Sequence, residues 1–218
     1  MTPELVQRSI TGIFLIVIAA LELWLGGNAL WVLATIVGLL MMGEWAGLTQ
    51  GQEHRRFAQY AMCVPLALLS PIAAGPSVLV AIAFLGVFLV LRLGTRNLWL
   101  ASGAIYVGLP ITALLWLRMQ EDGLLLAFWA LSLVWATDIG AYFAGRSFGG
   151  PKVAPKISPN KTWSGLLGGM AGAFLLGWML ASYTTLPTHL ALASPALALI
   201  AQAGDFFESW MKRRAGVK

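Results

Sequence analysis

Apolar residues run in long blocks separated by short polar breaks. The blocks fall near residues 9–26, 28–48, 57–74, 76–93, 98–118, 123–145, 163–183 and 188–204. A helix that crosses a bilayer needs about 20 predominantly apolar residues. The pattern therefore predicts an all-α, polytopic membrane protein with about eight transmembrane helices. Pro and Gly gather in the breaks, as in SPIAAGPS at 70–77, and mark turns. No repeat of 20–50 residues and no low-complexity segment interrupts the series. The chain reads as a single integral membrane domain. Residues 1–122 supply N-terminal spans, and residues 123–218 hold the later spans with one conspicuously polar loop.

Composition agrees with this pattern. The 218 residues are 59% hydrophobic and 11% charged, against about 25% charged in soluble domains. Mean hydropathy is +0.79. Ten Trp suit anchoring at the membrane interfaces. The N-terminal run MTPELVQRSITGIFLIVIAALELWLGG lacks a small-x-small cleavage site and is read as a retained first span. The single Cys63 excludes an internal disulfide and is expected to pack in the core.

Charge placement then orients the spans. With the N-terminus in the cytoplasm and strict alternation, Arg8, Arg55, Arg56, Arg92, Arg96, Arg146, Lys152, Lys156, Lys161, Lys212, Arg213, Arg214 and Lys218 all fall on the cytoplasmic side. Of the 14 Lys and Arg, only Arg118 falls outside. Such asymmetry is the positive-inside signature, and it puts the polar loop in the cytoplasm.

Ionisable groups inside spans are costly and are functional candidates by default. Glu22 lies near the outer end of the first span and can reach the interface. Glu44, in MMGEWAGL, is expected to pair with an Arg or cap an interhelical contact, with a functional role as the equal alternative. Asp138, in LSLVWATDIGAYFAGRSFGG, is different. The small residues Gly140, Ala141, Ala144 and Gly145 that follow are explained by close helix packing, but packing requires no acid. Asp205 opens GDFFESWMKRRAG, where Asp205, Glu208 or Ser209, and Lys212 share one helical face. A juxtamembrane helix on anionic lipid explains Lys212, Arg213 and Arg214. It does not call for the acids. A divalent cation does: Mg²⁺ takes one or two carboxylates plus substrate phosphates.

The polar loop APKISPNKTW holds Lys156, Ser158, Asn160, Lys161 and Thr162. Residues 146–161 contain four basic side chains and no acidic one. Ser158 is expected to cap a helix whose first residue is Pro159 and which continues as the seventh span. Its free N–H groups and positive dipole end would attract an anion, with Lys156 and Lys161 as flanking charges. Acids for a metal and cations for phosphates, gathered at one membrane face, suit nucleotidyl or phosphoryl transfer. No G-x-x-x-x-G-K-[ST] loop, His cluster or H-E-x-x-H motif is present.

The segments DIGAYFAGRSFG, APKISPNKTW and GDFFESWMKRRAGVK resemble, in order and spacing, those of bacterial phosphatidate cytidylyltransferases. The earlier GEWAGL and YVGLP do so too. The resemblance implies that CTP and phosphatidic acid give CDP-diacylglycerol and pyrophosphate, with Mg²⁺ and a place for a second cation. It implies metal-ligand roles for Asp205 and Asp138 and catalytic roles for Asp138, Lys156, Lys161, Asp205 and Lys212. It implies substrate binding by Ser158, Asn160, Thr162, Ser209 and Arg213. It also implies a multi-pass enzyme of the bacterial inner membrane, among membrane lipids, as a homodimer and without a nucleic-acid partner. Two features depart from the family pattern. Ser164 stands where the family has Glu. The family signature continues beyond Lys218 with further carboxylates, one of them a second metal ligand, so the chain is expected to be a fragment or a truncated relative. Rival readings are a CTP-dependent polyprenol or phytol kinase, a transporter using the intramembrane carboxylates, and a membrane scaffold.

Overall fold

The computed structural model describes the backbone of residues 3–216 and the side chains of residues 14–216. Arg8 and Lys218, counted above among the cytoplasmic cations, lie outside the residues whose side chains are described. Eight α-helices carry the chain: α1 Pro3–Leu25, α2 Gly27–Leu48, α3 Arg55–Leu68, α4 Val78–Thr95, α5 Leu98–Arg118, α6 Gly123–Phe148, α7 Trp163–Tyr183 and α8 Thr188–Arg214. Among the described residues six of them, α2 and α4–α8, are long and apolar enough to cross a membrane. Many large apolar side chains are exposed, Leu93 at 78% and Leu40 at 62% among them. Apolar exposure on this scale is foreign to soluble monomers and suits lipid contact.

The chain divides into two compact units, Met1–Leu124 and Leu125–Lys218. In the first, α2 packs against α1, α3 and α5, and α4 against α3 and α5. Glycines let aromatic rings approach the backbone. A Cβ at Gly103 would lie 2.3 Å from the Trp45 ring, and one at Gly108 would lie 2.4 Å from Phe84. Trp45 stacks on Tyr106 with centroids 4.7 Å apart and donates Nε1–H to the Trp99 carbonyl at 2.7 Å. The segments GEWAGL and YVGLP thus meet each other, and packing explains their buried members Gly43, Trp45, Ala46, Val107 and Gly108. Cys63 is exposed on α3, against the expectation that it packs in the core; on this helix the buried positions are Ala58, Met62, Pro65 and Leu66. Glu44 is exposed and makes no ion pair among the described residues. Glu22 has one buried carboxylate oxygen with no hydrogen-bond partner among them.

Helix α3 has only 14 residues, short for a span of about 20. Its surroundings nonetheless reach both ends of the unit. A Cβ at Gly94, at the end of α4, would meet the Phe57 ring near the start of α3 at 3.4 Å. Gly75, after the turn that follows α3, would meet Met119 just past α5 at 3.8 Å. Asn97, which caps α5, donates Nδ2–H to the Thr49 carbonyl just past α2 at 2.9 Å. Arg118 at the end of α5 donates to the carbonyls of Leu23 and Trp24, at 2.8 and 2.9 Å, at the end of α1. The ends of α2 and α4 therefore lie with the starts of α3 and α5, as strict alternation requires.

In the second unit, α7 carries small residues on two faces. Gly165, Gly168 and Gly172 meet α6, where added Cβ atoms would lie 3.0 Å from the Ala141 carbonyl, 2.2 Å from Ala144 Cβ and 2.7 Å from the Ala136 carbonyl. Gly169 and Gly177 accommodate Gln202 and Ser194 of α8, at 2.6 and 2.5 Å. Van der Waals contact at this closeness drives helix association in lipid. A core of Trp129, Leu133, Ala173, Leu186 and Ala198 completes the packing.

Helix α6 ends where Gly149 and Gly150 adopt φ of +59° and +102°, backbone that favours glycine. The loop that follows is not the expected helix start. Lys152–Ala154 (β1) and Ser158–Thr162 (β2) pair antiparallel, with Lys152 opposite Thr162 and Ala154 opposite Ser158. Helix α7 begins only at Trp163, and its cap is Thr162, whose Oγ1 accepts the Gly165 N–H at 3.1 Å. Ser158 pairs with Ala154 in this hairpin and Pro159 follows it in β2, so neither starts a helix. Helix α8 runs unbroken for 27 residues, about 40 Å at 1.5 Å per residue. Asp205 thus belongs to the spanning helix itself and not to a separate juxtamembrane one.

Candidate active site

Because α7 lies directly against both α6 and α8, residues far apart in sequence converge. Asp138 and Arg146 come from α6, Asn160, Lys161 and Thr162 from β2, Gln202 and Asp205 from α8. All line one cavity of about 600 Å³, with Tyr142, Gly145, Gly165 and Leu166. Lys161 Nζ donates to Asp205 Oδ2 at 2.7 Å and lies 4.8 Å from the centroid of the Phe206 ring. Asp138 is exposed onto the cavity. It is ten residues, or about 15 Å, from the end of α6. A carboxylate at that depth needs a water-filled cavity or a partner.

Five of the ten residues singled out in the sequence line this cavity: Asp138, Asn160, Lys161, Thr162 and Asp205. The other five lie elsewhere. Arg213 donates Nε–H to the Ile157 carbonyl at 2.5 Å, clasping the hairpin turn to the last turn of α8. Lys212 pairs with Glu208 one turn away. Lys156 is exposed on the hairpin turn, and Ser158 and Ser209 are half-buried outside the cavity wall. The helix-start anion site is also weaker than expected. The Trp163 N–H is spent on the Pro151 carbonyl at 3.1 Å and the Gly165 N–H on Thr162. The cavity's positive charge comes from Lys161 and Arg146 side chains instead. Ser164, the departure from the family pattern, hydrogen-bonds with Thr162 Oγ1 at 3.0 Å and donates to the Gly149 carbonyl. It ties the end of α6 to the start of α7.

Two groups escaped the sequence reading. Arg146 donates to Tyr142 Oη at 3.0 Å, and Asp138, Tyr142 and Arg146 follow at i, i+4 and i+8. That spacing marks one helical face and was the available signal. Gln202 is buried, donates to the Leu166 carbonyl at 3.2 Å, and precedes Asp205 by three residues on the same face. Its signal was an isolated amide in an apolar run.

No group of three or more His, Cys, Asp or Glu that could hold a metal occurs among the described residues. Asp138 and Asp205 are two carboxylates lining one cavity, the donor type and number with which Mg²⁺ is held when water and substrate phosphates complete its shell.

Comparison with known proteins agrees with the motifs. The model of the cytidylyltransferase family matches residues 6–218. A phosphatidate cytidylyltransferase of Brucella suis is 37% identical over 99% of this chain and 82% of its own length. One of Rickettsia typhi is 27% identical over 97% of this chain and 77% of its own length. One of Rickettsia bellii is 31% identical over 78% of this chain and 84% of its own. With the family model spanning nearly the whole chain and residues of all three motif segments lining one cavity, this multi-pass membrane protein belongs to the cytidylyltransferase family.

Proposed function

We propose that the protein transfers the cytidylyl group of CTP to phosphatidic acid, giving CDP-diacylglycerol and pyrophosphate. The observation that carries this reading is the meeting of Asp138, Lys161 and Asp205, from three separate elements, on one cavity. In the reaction an oxygen of the lipid phosphate attacks the α-phosphorus of CTP, and the bond from that phosphorus to the bridging oxygen of the β-phosphate breaks. Both reactants are anions, so their charge must be neutralised before they can meet. Lys161 and Arg146 supply two cations on the cavity wall, and Asn160 supplies an amide donor. Asp138 and Asp205 would hold Mg²⁺, which when bound supplies further positive charge to phosphate oxygens. Thr162 and Ser164 act indirectly, by fixing where β2 hands over to α7.

The same reading puts the N-terminus and the cavity on the cytoplasmic face of a bacterial inner membrane, where CTP is available. The 13-to-1 distribution of cations supports it, as does the paired arrangement of helix ends in the first unit. Membranes bearing the protein are expected to convert labelled CTP and phosphatidic acid to CDP-diacylglycerol with release of pyrophosphate. Asp205→Asn and Lys161→Ala should each lower turnover by about 100-fold with membrane insertion intact. Release of CDP with phosphorylation of a lipid alcohol would instead favour a lipid kinase. Absence of turnover with or without Mg²⁺ would defeat the reading.

A further inference from the structure

The cytidylyl-transfer reading gives Lys161 and Asp205 opposite tasks, one toward phosphate and one toward a metal. In this structure they are bound to each other, Nζ to Oδ2 at 2.7 Å. An ammonium held by a carboxylate is not free for phosphate, and a carboxylate capped by an ammonium is a poorer metal ligand. The other charged groups on the cavity wall differ. Arg146 donates to the Tyr142 hydroxyl, and Asp138 forms no ion pair among the described residues.

We propose that the Lys161–Asp205 pair is an internal placeholder, exchanged when the site loads. The carboxylate passes from the ammonium to a divalent cation, and the ammonium passes from the carboxylate to a phosphate of the nucleotide. Each ligand's arrival then frees the group that the other needs. Metal and nucleotide binding are therefore coupled, and linkage requires the coupling to be reciprocal. Neither charge is deeply buried: the side chains are 29% and 46% exposed. A pair of that kind is modest in strength, so exchange needs only a small gain from the incoming ligands. The pair neutralises one carboxylate and ties β2 to α8. This inference rests on the cytidylyl-transfer reading.

The test uses the purified protein in detergent, with Mn²⁺ alone followed by paramagnetic resonance and CTP in EDTA followed by equilibrium dialysis. Lys161→Met should tighten Mn²⁺ binding about fivefold. Asp205→Asn should tighten metal-free CTP binding by about the same factor. Lys161→Arg, which keeps the pair, should leave Mn²⁺ binding at the wild-type value. Two charge-matched controls separate exchange from a general field effect. Arg146→Met and Asp138→Asn remove the same charges from the same cavity while leaving both members of the pair in place, and should give clearly smaller changes. Controls that equal the paired variants would overturn the exchange while leaving the cytidylyl-transfer reading intact. Wild-type protein that binds neither Mn²⁺ nor CTP would overturn both.

Discussion

Gly168→Ala adds one methyl group at the seam between α6 and α7. That methyl would sit 2.2 Å from Ala144 Cβ and 2.7 Å from the Gly140 carbonyl oxygen. Non-bonded carbons rest at about 3.5–4.0 Å, so the two helices must part by roughly 1 Å. The carbonyl is backbone and cannot rotate away, and Ala144 has no torsion that moves its Cβ. Overpacking of this size costs about 1–3 kcal/mol. The larger effect is expected on chemistry. Asp138 rides on α6, while Lys161 leads into α7, so a parted seam moves one against the other. A displacement of about 1 Å at a reacting centre costs about 100-fold in rate. Thermal unfolding in detergent and CTP turnover are the two measurements. Gly86→Ala on α4 is the control, since nothing outside its own helix backbone lies within 4 Å of the added Cβ. There the better helix propensity should stabilise by about 0.5–1 kcal/mol and leave turnover alone. If Gly168→Ala matches Gly86→Ala in both measurements, the close seam and its role in aligning the site are wrong.

Two further outcomes follow from hydrogen bonds at helix ends. Thr162→Val removes the cap of α7 and should cost about 1 kcal/mol in thermal unfolding, with recovery in Thr162→Ser; an unchanged melting temperature in Thr162→Val would count against the cap. Arg118→Met strips the donors from the Leu23 and Trp24 carbonyls and should cost about 1–3 kcal/mol, while KM for CTP stays at its wild-type value. A shift in that KM would mean that Arg118 influences the nucleotide site.

Helix formation was legible because hydrocarbon leaves the backbone no alternative to internal hydrogen bonding. Apolar length therefore sufficed for the number and order of helices. It was misleading at 57–74, where the apolar run includes the helix α3 and the turns after it. The polar loop was the opposite case. Ser158-Pro159 is a good helix start locally, and the hairpin with Lys152–Ala154 overrode it. Asp138, Lys161 and Asp205 stood out by type, since acids in spans and a lone basic loop are costly or purposeful. Arg213 and Lys212 stood out equally, yet in this structure they bond to the hairpin turn and to Glu208 and do not line the cavity. Residue type cannot separate these uses; the direction of the side chain does.

By itself, then, the sequence determined the membrane class, the helix order, the charge asymmetry and the three segments that hold the chemistry. Each depends on local composition, which a bilayer translates almost directly into structure. Only the tertiary structure decided which members of those segments share a cavity, that Thr162 and not Ser158 begins α7, and that Lys161 holds Asp205. The start of α7 depends on the hairpin; the shared cavity and the ion pair depend on how closely α7 approaches α6 and α8, a distance set by the absence of side chains at Gly165, Gly168, Gly169 and Gly172. A glycine's missing atoms acquire meaning only once the neighbouring helix is in place.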